Sequence, residues 1–143
     1  MDRSTAAEEF ARMLFSVGIK DGYQVFFETL NTPRGQHKPM WEKIKRWYEA
    51  QTEEKQDFIR FVVWQATVFG VGGLAVHFDG AQGFDYVNER PGEFSVALNI
   101  YRNIHEATEG LPEETIPICP TSEGEDVHDL LFGLVDEEEA RSR

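Results

Sequence analysis

The stretch from Thr52 to Asp79, TEEKQDFIRFVVWQATVFGVGGLAVHFD, decides how this chain is built. Thr52 can cap a helix, and Glu53 and Glu54 suit its positive end. Behind them Phe58, Ile59, Phe61, Val62, Val63, Trp64, Val68 and Phe69 are apolar on several sides, the pattern of a central, buried helix. The run Gly70-Val71-Gly72-Gly73 leaves two readings. Glycine costs about 1 kcal/mol against alanine inside a helix, so the helix could stop at Phe69 and residues 74–78 become a strand. Phe58, Val62, Phe69, Gly73 and Val76 keep helical phase, which favours one helix to about Phe78, its glycines admitting a neighbouring helix at close range. Arg60, Gln65, three glycines and His77 make the segment too polar for a comfortable membrane span.

Upstream, Thr5 and Glu8 form a capping box, followed by Phe10, Met13, Leu14 and Val17 at helical spacing and by Gly18 as a stop. Asp21 can cap a short second helix carrying Tyr23, Phe26, Phe27 and Leu30. Pro39 suits the start of a third, with Met40, Ile44, Trp47 and Tyr48 as its stripe. Downstream, residues 79–93 read as a glycine-rich loop. Phe94, Val96, Leu98 and Ile100 then alternate with polar or small residues, the cleanest strand pattern in the chain. Thr115, Ile116 and Ile118 suggest a second short strand, which Pro117 and Pro120 confine to a sheet edge. Ser122 and Glu125 form another capping box before Val127, Leu130, Leu131 and Leu134, which predict a closing helix over roughly 124–135. The expected class is α+β: about four N-terminal helices, a small antiparallel sheet near residues 94–118 and a C-terminal helix. Residues 1–135 are expected to form a single domain, with 136–143 as a frayed acidic tail.

The chain has 143 residues and a net charge of −12. Residues 1–60 balance ten basic against ten acidic side chains, so the whole excess falls after residue 60, where four arginines meet sixteen acids. Clustered charge of this kind keeps a protein soluble and also steers association with a basic partner. It repels phosphates, which argues against direct nucleic-acid binding by the acidic part. The basic stretch 34–48, interleaved with Trp41, Trp47 and Tyr48, reads as a solvated helix face with aromatics turned to the core. Glu8 and Glu9 stand where a signal peptide would have its apolar centre. Cys119 is the single cysteine, which excludes an intrachain disulfide and a multi-cysteine zinc site and points to a reducing, cytoplasmic setting.

Chemistry-bearing motifs are sparse. No nucleophile elbow or P-loop occurs, and the Gly70–Gly73 run lacks dinucleotide-fingerprint spacing. His77 with Asp79, and His128 with Asp129, offer ligands for a metal-dependent enzyme if the two segments meet. Weak motif value and abundant acids favour no shared metal and no cofactor. Pairing of Cys119 with His128 or His105 as a nucleophile is the weaker alternative, since lone cysteines are commonly buried and inert. In size and composition the chain resembles many short acidic proteins, immunity proteins that neutralise toxins among them, a likeness that transfers no residue roles. The favoured expectation is a non-enzymatic protein-binding module, in its specific form a toxin-neutralising inhibitor. Its contact surface for a basic protein would comprise Glu123, Glu125, Asp126, Asp129 and Asp136, with Tyr101 or Tyr86 as aromatic anchor. The alternatives are the small metal-dependent enzyme and a structural homo-oligomer joined at its exposed sheet edge.

Overall fold

A computed structural model of the chain describes residues 1–79, 84–87, 90–92, 96–101, 110–119 and 126–142. Their order is α1 (Arg3–Met13), a π-helical segment (Leu14–Asp21), α2 (Gly22–Asn31), α3 (Lys38–Glu49), α4 (Glu53–Phe78), β1 (Phe84–Val87), β2 (Arg90–Gly92), β3 (Val96–Ile100), β4 (Glu114–Cys119) and α5 (Val127–Arg141). The class is α+β. The chain divides into two compact units, Leu14–Val71 and Met1–Met13 with Gly72–Arg143, and the boundary falls inside α4.

Unit Leu14–Val71 is helical. Gly18 does not stop the chain, contrary to its reading as a C-cap, and helical backbone runs unbroken from Arg3 to Asn31. Its missing side chain serves packing instead: a Cβ there would lie 3.1 Å from the Val71 side chain of α4. Asp21 sits in helical conformation with no side-chain cap bond, so α2 follows the π-helical segment without the cap expected of it. Gly35, at φ 72°, makes the turn after α2 that a side chain would strain. Ile19, Leu30 and Val68 are buried. Around them the rings of Tyr23 and Trp64 (5.6 Å), Phe26 and Trp41 (5.4 Å), and Phe27 and Tyr48 (6.1 Å) pack edge-on or tilted. The inward stripe of α3 is Trp41, Ile44 and Tyr48, whereas Met40 and Trp47, expected inside, are exposed. Its cations are used locally, Lys38 with Glu42 and Lys45 with Glu49.

The long-helix reading of 53–78 holds, but the expectation of a buried helix does not. Phe58, Phe61, Val62, Phe69 and Leu74 are exposed, and only 17% of the helix's apolar window is buried. By length and composition α4 could also cross a membrane, an alternative the sequence reading had set aside.

In the other unit α1 packs on α5 and β4. Its buried face is Ala6, Ala7 and Ala11, not the larger apolar residues that the periodicity selects; Met13 is exposed. Asp2, not Thr5, caps α1, its Oδ1 accepting the Thr5 backbone N–H at 2.9 Å. Residues 79–93, expected to be a loop, contain β1 and β2, which pair antiparallel. The sheet expected near 94–118 is the antiparallel pair β3–β4, with Leu98 opposite Ile116 and Asn99 opposite Thr115. Thr115 Oγ1 bonds Asn99 Oδ1 across that pair at 2.9 Å. Pro117 stands opposite Ala97 in a two-stranded sheet, where each strand has a free edge to accommodate a missing N–H. The close approach expected at the glycines occurs at Gly72, where a Cβ would meet the Phe132 ring of α5 at 2.6 Å. Val127, Leu131 and Val135 close this core. The helix runs to Arg141, past its expected end near 135. There Arg141 pairs with Glu137 and complements the dipole of the last turn.

Candidate functional site

Asp79, read from sequence as a helix stop, is the polar centre of its unit. Its side chain is fully buried. Oδ2 accepts the backbone N–H of His128 at 2.7 Å and lies 2.9 Å from His128 Nδ1, an imidazole nitrogen facing an acceptor-only carboxylate. Oδ1 accepts the Cys119 thiol at 3.3 Å. One carboxylate thus joins the end of α4, the end of β4 and the first turn of α5. It caps α5 from 49 residues away, beside the positive end of the helix dipole. Asp126, the N-cap residue itself, makes no side-chain cap bond. The Ser122–Glu125 capping box lies outside the described residues.

This arrangement disarms Cys119. Burial first, then the hydrogen bond to Asp79 and that carboxylate's charge, push its thiol up to about 12. A thiolate is the reactive form, so Cys119 is no nucleophile at neutral pH. Its bonded partner is Asp79 rather than His128.

Of the four candidate metal residues, the fold brings Asp79, His128 and Asp129 together. His128 Nε2 lies 3.3 Å from Asp129 Oδ1. Asp126, His128 and Asp129 place one ligand atom each within 4.8 Å of one another, a set of one imidazole and two carboxylates suited to a divalent ion. Asp79 would act behind them by fixing the ring of His128. His77, half-buried in the last turn of α4, is outside that set.

The second feature is a groove of about 330 Å³ between α1 and α5. From α1 it is lined by Glu8, Ala11 and Arg12, and from α5 by Asp129, Leu130, Gly133, Leu134 and Glu137. Ala11 and Gly133 keep its floor low; a Cβ on Gly133 would touch nothing within 4 Å. Leu130 and Leu134 supply half-buried apolar walls. Glu8, Asp129 and Glu137 make an acidic rim, with Arg12 facing Glu8 at 3.7 Å and Glu9 at 3.6 Å.

Of the expected partner-binding residues, Asp129 lines this groove. Asp136 is exposed two turns further along the same helix face, and Asp126 sits at the head of α5. Tyr101 follows β3, half-buried, and is not part of the lining. Glu123 and Glu125 lie outside the described residues. Sequence reading missed Glu8, Ala11, Arg12, Leu130, Gly133, Leu134 and Glu137 as lining. A signal was present: Asp129, Gly133 and Glu137 recur every four residues beside the Val127–Leu131–Leu134 stripe. What faces them, Ala11 of α1, is far away in sequence. No protein-family model matches this chain, and no curated protein or solved structure does either.

Proposed function

We propose that this protein is a non-enzymatic binding module that takes a basic, amphipathic segment of a partner protein in the α1/α5 groove. The observation that carries this reading is the groove itself: an apolar lining of Ala11, Leu130, Gly133 and Leu134 under a rim of Glu8, Asp129 and Glu137. A helical or extended segment with apolar residues on one side and Lys or Arg on the other complements both surfaces. The surrounding unit holds six basic and nineteen acidic side chains, a field that steers a basic partner and repels nucleic acid. Ion pairs at such an exposed rim add little affinity, so the acids serve rate and selectivity while the floor supplies hold. Inhibition of a basic toxin is the specific form of this reading, in a reducing, cytoplasmic setting suited to the free Cys119.

The test uses a basic amphipathic peptide of alternating Lys and Leu turns, with association followed at low and high salt. Glu8→Lys with Glu137→Lys should slow association at least tenfold at low salt and less at high salt. Equal rates for wild type and variant would contradict the reading. The Asp126–His128–Asp129 set supports a second reading, a metal-dependent enzyme. Calorimetric titration with Zn²⁺ or Mn²⁺ tests it, and tight one-to-one binding abolished in His128→Ala would favour it.

A further inference from the structure

We propose that the outward face of α4 between Phe58 and Phe69 pairs with the same face of a second copy of this chain. Three neighbours define which way α4 turns inward. Trp64 meets Tyr23, Thr67 faces Gly22, and Val71 packs at Gly18. At about 100° per residue, the opposite side of the helix carries Phe58, Val62, Gln65, Ala66 and Phe69. A surface helix normally places polar residues there. Here Phe58 is 65% exposed, Val62 46% and Phe69 70%, with Phe61 beside them at 57%. No Asp, Glu, Lys or Arg occurs from Phe61 to Phe78.

Spacing and charge select the occupant. Phe58, Val62, Gln65 and Phe69 are separated by four, three and four residues, the rhythm of a helix-to-helix seam, and a seam of this kind fits a second helix bearing the same rhythm. A two-fold pairing needs one self-complementary patch, and this one sets small Ala66 among bulky Phe58, Val62 and Phe69. The unit carrying the patch holds eight basic and seven acidic side chains, so nothing in it steers the basic partner of the groove, and two copies do not repel at the contact. Gln65 within the seam suits a hydrocarbon interior poorly. Three half-exposed or more exposed phenylalanines and a valine offer roughly 400 Å² per copy, so pairing removes about 800 Å², the range of a weak, reversible contact.

The proposal is independent of the groove reading, and its salt response is opposite in sense: an apolar contact between acidic chains persists in high salt, where a charge-steered complex slows. Sedimentation equilibrium of the full chain at about 100 µM, a concentration at which weak contacts are populated, should give a mass above 16.4 kDa that rises toward twice that value with concentration. Phe58→Glu with Phe69→Glu should return the monomer mass while circular dichroism and melting temperature stay unchanged. In addition, Val62→Cys should form a disulfide between copies on oxidation, since Cys119 is buried. A wild-type mass fixed at 16.4 kDa up to that concentration would overturn the proposal. So would a double variant that still associates, or flotation of the wild type with neutral phosphatidylcholine vesicles that the double variant loses.

Discussion

The two units of this molecule solve the problem of a surface in opposite ways. Leu14–Val71 holds eight basic and seven acidic side chains and leaves Val17, Val25, Met40, Trp47, Phe58, Phe61 and Phe69 exposed. Met1–Met13 with Gly72–Arg143 holds six basic and nineteen acidic side chains, and buries its core around Leu131 and the alanines of α1. The first exposes most of the large apolar side chains and is near-neutral; the second exposes fewer among its described residues, Met1, Met13, Leu74 and Leu111, and is net −13. On the two proposals above, association by area and association by charge would fall to different parts of one short chain. The first suits slow, salt-tolerant contacts, and the second fast, salt-sensitive ones.

The comparison breaks first at Leu131. Leu131→Ala should destabilise by roughly 2–5 kcal/mol, because Leu131 is completely buried and its removal leaves a cavity. Denaturant unfolding measures this, and a loss below about 0.5 kcal/mol would mean that α5 does not close the core of the acidic unit. Asp79→Ala should cost about 2–4 kcal/mol, since it strips α5 of its cap and leaves the His128 N–H and Cys119 S–H buried without partners. Asp79→Asn should cost less, because an amide oxygen still accepts one of those bonds.

Cys119 sharpens the same point through pH. Its folded-state pKa is raised from 9.0 to about 12, so its contribution to stability is complete below pH 9 and is lost as pH rises toward 12. Stability measured across that window should fall more steeply in wild type than in Cys119→Val. Native protein at pH 8 should also resist Ellman's reagent until it unfolds. At the small end, Phe69→Glu should move stability by less than about 0.5 kcal/mol, because Phe69 is 70% exposed.

Local pattern carried the class and several elements. The Val127–Leu134 stripe located α5, helical phase carried α4 through its glycines, and strict alternation located β3. The misses are those in which a distant residue decides. Whether Phe58 and Phe69 face the core depends on what packs against α4, and an all-round apolar helix gives no phase from which to tell. The large residues of α1 suggested its buried face, but close approach to α5 and β4 favours Ala6, Ala7 and Ala11. The cap of α5 comes from Asp79, which no window around residue 126 contains. For the site, Asp129 was legible as an exposed acid; the groove was not, because three of its eight lining residues belong to α1.

Gly133 offers the most direct test of the groove. Gly133→Ala should stabilise α5 by about 0.5–1 kcal/mol, since the position is helical and nothing lies within 4 Å of the added Cβ. Gly133→Leu adds a side chain over the groove floor without changing a single charge. Its affinity for the basic Lys/Leu peptide should therefore fall at least tenfold, while its melting temperature stays at or above that of wild type. Unchanged affinity in a folded Gly133→Leu protein would contradict the account, for the acids alone would then be holding the peptide and the α1/α5 groove would not be its seat.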